Sequence, residues 1–136
     1  MHRISLTVLL VCMVSSTVTA QSTLKARIPA PKTKVYRAVR DGKDWKNPCL
    51  IVNEDGVQVR RTGADYDAQI VSVAEVLGNL EKLPASAWPY GLIVMVQENG
   101  ICCRESDGHA TKRANRVELV DRLRRAGIVV LLVPSA

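Results

Sequence analysis

Leu92-Ile93-Val94-Met95-Val96 and Ile128-Val129-Val130-Leu131-Leu132-Val133 are the two stretches on which the fold turns, because neither contains a polar residue. An aliphatic run without in–out alternation suits a strand covered on both faces, as in parallel sheets. Between the two, Arg113 to Ala126 repeats at helical spacing, with Leu119, Val120, Leu123 and Ala126 inward. Glu118 and Arg122, and likewise Asp121 and Arg125, stand four apart in the order that favours a helix. Gly127 supplies the helix stop and Pro134 closes the second run. Strand, helix and strand over 92–133 predict a right-handed βαβ unit with a parallel pair.

Upstream, Val73, Val76, Leu77 and Leu80 fall on one helical stripe, and Ser72 with Glu75 forms a capping box at its start. Gly78 inside this helix costs about 1 kcal/mol relative to Ala, and Pro84 stops it after Leu83. Earlier still, the apolar run Cys49-Leu50-Ile51-Val52 and the alternating Val57-Gln58-Val59-Arg60 flank Asn53-Glu54-Asp55-Gly56. Asp-Gly between two such segments is a hairpin signal, since Gly tolerates positive φ. Thr62 to Asp65 reads as loop, Gln69-Ile70-Val71 as a brief extended piece, and Cys102 to Thr111 as polar and irregular. The expected fold is α/β of the two-layer α+β kind: a ββαβαβ order, a mixed sheet with a β-hairpin and a right-handed βαβ unit, and helices packed on one face.

The N-terminus reads as an export signal over residues 1–20. Met1-His2-Arg3 is a positive start, Ile4 to Val14 is apolar, and Val18 and Ala20 stand where signal peptidase prefers small residues, with the cut after Ala20. The alternative is an uncleaved anchor, since Ile4 to Ala20 barely reaches across a bilayer. A lipoprotein reading through Cys12 meets a bulky Val11. Residues 21–46 then form a basic, partly disordered N-terminal arm, and 47–136 one globular domain. The arm carries Lys25, Arg27, Lys32, Lys34, Arg37, Arg40, Lys43 and Lys46 against Asp41 and Asp44, whereas ten Lys or Arg face eleven Asp or Glu from Asn47 onward. The chain's net charge of +6 therefore belongs to the arm. Within it, Gln21 to Pro31 is linker-like. Thr33 to Arg40 is either a short helix with Val35, Tyr36 and Val39 on one face or an alternating strand, and Trp45 is an aromatic anchor.

The order hairpin, helix, strand, helix, strand resembles the small periplasmic domain of the ExbD/TolR family. The stretches that carry the likeness are Asp55-Gly56-Val57-Gln58-Val59, Val73-Ala74-Glu75-Val76-Leu77, the run 92–96, and Leu119 to Val133 through Arg125-Ala126-Gly127-Ile128. The resemblance implies the fold and a place in the cell envelope. It does not carry over the family's motor partner, because family members keep an Asp in a membrane helix and residues 4–20 contain no acidic residue.

Candidate chemistry is sparse. His109 is the one histidine beyond the leader, which excludes a His-pair metal site. Cys49, Cys102 and Cys103 are an odd set in an oxidising compartment. A bridge from Cys49 to Cys102 or Cys103 would close a long loop and stabilise by roughly 4 kcal/mol, and three free thiols are the equal alternative. Cys102 or Cys103 with His109 would make a thiol nucleophile if the imidazole reached the sulfur, and adjacent cysteines suit zinc poorly. Asp65 and Asp67 are loop carboxylates without a catalytic partner. Trp88 and Tyr90, in Ala87-Trp88-Pro89-Tyr90-Gly91, are either a partner surface or a wedge of the helix–strand connection. No cofactor or metal is implied. The leading expectation is a periplasmic or secreted noncatalytic domain that binds another envelope component, a protein or an anionic polymer, with a partner strand added at the hairpin edge. It binds no nucleic acid and is not integral to the membrane once the leader is cleaved. The alternatives are a polyanion-binding protein acting through residues 25–46 and a thiol enzyme at Cys102 or Cys103 with His109.

Overall fold

The computed structural model describes residues 23–61, 69–98 and 108–134. They form α1 (Thr23–Arg27), α2 (Thr33–Tyr36), β1 (Cys49–Asn53), β2 (Gly56–Arg60), β3 (Ile70–Val71), α3 (Val76–Glu81), β4 (Ile93–Glu98), α4 (Gly108–Arg125) and β5 (Val129–Val133). The five strands make one mixed sheet in the order β3-β2-β1-β4-β5. The β1–β2 and β2–β3 pairs are antiparallel, and β1–β4 and β4–β5 are parallel. The chain is thus of the α+β class with a mixed sheet, and the brief extended piece at 70–71 joins that sheet as a strand of its own.

The local signals explain the elements. Asn53 pairs with Gly56, which leaves Glu54-Asp55 as the hairpin turn. Gly56 has φ +144°, and a Cβ there would run into the Val71 carbonyl oxygen, so this glycine also admits β3. A 3-10 turn at Val73–Glu75 leads into α3, and the Glu75 carboxylate accepts the Ser72 N–H at 3.0 Å. The i,i+4 pairs Glu118–Arg122 and Asp121–Arg125 are both formed, at 2.9 and 2.8 Å. At the end of α4, the Ile128 N–H reaches the Leu123 carbonyl at 3.0 Å and the Gly127 N–H that of Arg124 at 3.0 Å, with Gly127 at φ +79°. This is a Schellman stop, and Leu123 and Ile128 share its accompanying apolar contact. Helix α4 starts at Gly108, earlier than the apolar repeat implies, because nothing from His109 to Lys112 breaks a helix. Two polar contacts then aim it: Asn115 Nδ2 donates to the Asn53 carbonyl at 2.9 Å, and Arg116 pairs with Glu98 at 2.9 Å.

Strand β4 is covered on both faces, as its unbroken run implies. Val94 and Val96 point into a cluster with Leu50, Val52, Val57, Val76, Leu80, Leu119 and Leu123 under α3 and α4. Ile93 and Met95 point the other way, against Trp45 and Tyr90 with Tyr36, Val39, Leu131 and Val133 beside them. Two expectations need correction. Residues 23–31 are not a linker, because Leu24 and Ile28 are buried in the first cluster. Strand β5 is not covered like β4: Val129 is 42% and Leu132 49% exposed, because among the described residues the strand is the sheet edge and has a neighbour on one side only. Residues 33–36 take the helical option, with Val35 outward. Among the described residues no helix is long and apolar enough to cross a membrane, and residues 1–20 lie outside them.

Candidate binding surface

The segment from Pro29 to Pro48 is built onto the sheet face away from α3 and α4. Prolines 29 and 31 lack an N–H, so the backbone docks through what remains. The Pro29 carbonyl accepts the Leu92 N–H at 2.9 Å, and the Lys32 N–H donates to the Tyr90 carbonyl at 2.8 Å. Gly91, at φ +83°, is required here because a Cβ would strike the Ala30 carbonyl. Further along, Trp45 and Tyr90 pack with ring centroids 4.9 Å apart at 57°. The Tyr90 hydroxyl donates to the Asp44 carbonyl at 3.1 Å, and Trp45 Nε1 to that of Pro48 at 3.3 Å.

Asn47 holds the junction. Its side chain is buried and uses three hydrogen bonds: Nδ2 donates to the Gly91 and Ile93 carbonyls at 2.8 Å each, and Oδ1 accepts the Tyr90 N–H at 2.9 Å. Buried amides satisfied in this way both stabilise and fix one geometry. Sequence reading missed Asn47, since nothing local marks it: every partner lies more than forty positions away.

The basic arm accordingly divides in two. Arg27 donates to the Glu81 carbonyl at 2.8 Å, at the end of α3, and the Lys25 stem lies against Gly127 just past α4. Cations at helix C-termini meet the negative end of the helix dipole, and these two, although exposed, stand at the ends of α3 and α4. Lys32, Lys34, Arg37, Arg40, Lys43 and Lys46 are all exposed, on a segment whose Tyr36, Val39 and Trp45 face the sheet. Only Asp41 and Asp44 offset them there, and Asp41 Oδ1 is engaged by the Lys43 N–H at 2.9 Å. What the arrangement offers is a preformed cationic surface.

The other candidate residues fall elsewhere. Trp88 and Tyr90 are 3% and 5% exposed, so neither ring is available as a partner surface; Trp88 packs in the first cluster and Tyr90 in the second. The edge of the hairpin is covered only in part, because the two-residue β3 pairs with Val57 and Gln58 of β2. Cys49 is half-buried on β1, where burial pushes its thiol up to about 11 against the lowering effect of Arg60. His109 sits half-buried in the first turn of α4. Cys102, Cys103, Asp65 and Asp67 lie outside the described residues, and with them any bridge to Cys49 and the thiol-nucleophile arrangement. Among the described residues no group of His, Cys, Asp and Glu is placed to hold a metal ion. No protein-family model, curated protein or solved structure matches the chain.

Proposed function

We propose that the chain is a noncatalytic binding module of the cell envelope, exported on a cleaved leader, that holds an anionic envelope polymer on the basic face of residues 32–46. One observation carries the reading: six exposed cations stand on a segment pinned by Asn47, Trp45 and Tyr90. A tethered but floppy arm would lose its conformational freedom on binding, whereas a docked one has already lost it during folding. Cations gathered on one face attract a polyanion through summed, salt-sensitive electrostatics. The likeness of the element order to the ExbD/TolR periplasmic domain supports the envelope setting and adds no motor role.

The test is retention on a sulfated-polysaccharide matrix across a salt gradient. Replacing Lys32, Lys34, Arg37, Arg40, Lys43 and Lys46 with Gln is expected to bring elution to low salt. Replacing Lys25 and Arg27 with Gln is expected to shift elution little and to lower thermal stability instead. Equal retention of the six-fold variant and the parent overturns the reading.

A further inference from the structure

The two edges of the sheet are managed differently. On one side β3 is only two residues long, Ile70–Val71. On the other side β5 presents five aliphatic residues, and no charged residue occurs from Gly127 to Ala136. Exposed edges are ordinarily blunted by charge, proline or a bulge, since their free N–H and C=O groups template another strand. Pro134 ends β5, and none of these devices lies within Val129–Val133.

We propose that β5 is a homodimer interface, in which two copies pair their β5 strands antiparallel about Leu131 and fuse the two sheets into one of ten strands. The backbone fixes that register. The Val129 N–H donates inward to the Leu92 carbonyl at 3.1 Å. In a parallel ladder successive residues turn to alternate sides, so Val130 and Leu132 direct their N–H and C=O groups to the open edge. Directly opposed residues in an antiparallel pair exchange both bonds only when both face the partner. Setting Val130 against Leu132 of the second copy, and the reverse, meets this condition for all four outward residues at once. Sliding the copies by two residues leaves one outward residue of each without its match.

The side chains agree with this pairing. On the helix side, exposed Leu132 comes beside the other copy's Val130; on the arm side, exposed Val129 comes beside the other copy's Val133. Val117, 61% exposed, lies toward the same edge: Asn115 turns to β1 and Arg116 to β4, and the next 100° step of the helix faces past β4 toward β5. The uncharged stretch also lets two cationic chains approach without opposing like charges along the strand. The two-fold axis runs normal to the sheet, so both arms lie on one side of the dimer. Resting on the polyanion reading above, the two basic faces then act as one bivalent surface.

The dimer itself is tested without any polyanion, by sedimentation of the full chain over a concentration series. A single pair of five-residue strands is a small interface and predicts weak, concentration-dependent association. Leu132→Pro removes an outward N–H that the monomer does not use, and is expected to stay monomeric throughout with unchanged circular dichroism. Leu132→Lys serves the same purpose should the proline variant not fold. Ile70→Lys, at the opposite edge, is expected to dimerise like the parent. A parent that is monomeric at 1 mM, or dimers lost on Ile70→Lys and kept by both Leu132 variants, overturns the proposal. On the sulfated matrix, Leu132→Pro should elute at a salt concentration between those of the parent and the six-fold Gln variant. Retention insensitive to the Gln changes would remove the polyanion reading and leave the sedimentation result standing.

Discussion

The two faces of the central sheet are covered by different means. Under α3 and α4 the contact is almost wholly aliphatic: Leu50, Val52, Val94, Val96, Leu119 and Leu123 interlock, and the one ring in the cluster, Trp88, keeps its buried Nε1 without a hydrogen-bond partner among the described residues. On the other face few apolar residues are available: Ile93 and Met95 of β4 are covered by two aromatic rings, Trp45 and Tyr90, held in place by the hydrogen bonds of Asn47. The first face owes its stability to buried area and is tolerant of direction. The second owes its position to geometry, which is what a surface of outward cations needs. The difference predicts that the first face governs whether the chain folds, and the second whether the basic segment is held in place.

The largest effect is expected where the aliphatic face is breached. Leu123 is fully buried and also closes the Schellman stop of α4. Leu123→Ala should lower stability by about 2–5 kcal/mol, as buried Leu truncations do, in a single cooperative denaturant transition. A loss confined to the arm, with the rest of the chain unaffected, would contradict the division of labour between the faces.

Next comes Asn47→Ala, which leaves the Ile93 carbonyl and the Tyr90 N–H without their buried partner, while the Gly91 carbonyl keeps the Ile93 N–H at 2.8 Å. At about 1–3 kcal/mol for each unsatisfied group, partly relieved by water, a total of about 2–4 kcal/mol is expected. Its signature is local. Amide exchange at Lys32 and Tyr90 should accelerate, while Val94 and Val96 stay protected at the level set by global unfolding. Retention on the sulfated matrix should weaken even though no cation has been removed. Uniform acceleration at every amide would show that the arm is part of one unit with the helix face.

These two residues also mark what was legible in the sequence. Leu123 sits in a helical repeat, and such periodicity together with Asp55-Gly56, the Ser72–Glu75 box and Gly127 brought out both hairpin strands, α3, β4 and α4. Each is a local pattern with a local cause. The arm was harder, because Leu24, Ile28 and Asn47 take their meaning from partners far along the chain, and prolines 29 and 31 look like a linker when those partners are out of view. Strand β5 was misjudged for a related reason. An aliphatic run records that a strand is apolar, and only the sheet order decides whether one of its sides is left open. The basic residues were visible as a cluster, but their division into two helix-end cations and six outward ones was not.

Cys49 gives a smaller effect on the arm face. Its thiol ionises near pH 11 in the folded chain against an ordinary 9.0, chiefly through burial. The unfolded chain therefore gives up this proton first, so the contribution is intact below pH 9 and is lost as pH rises toward 11. The difference in stability between the parent and Cys49→Ala should narrow or reverse over that window and stay constant below it. Alkylation of the native thiol should be slow at neutral pH and quicken on the alkaline side. A constant difference throughout would mean that the thiol is better solvated than its place on β1 suggests.

The smallest effect is a gain. Gly78 lies in α3, is exposed, and a Cβ there would meet nothing within 4 Å. Gly78→Ala should therefore stabilise by up to about 1 kcal/mol, from helix propensity and reduced freedom of the unfolded chain. Because it acts on the helix face alone, it sharpens the contrast when combined with Asn47→Ala. Global stability should sum to within about 0.5 kcal/mol, yet exchange at Lys32 and Tyr90 should remain as fast as in Asn47→Ala by itself. If strengthening α3 slowed the arm's opening as well, the two faces would be coupled through the sheet, and the basic surface would owe its position to the aliphatic core as much as to Asn47.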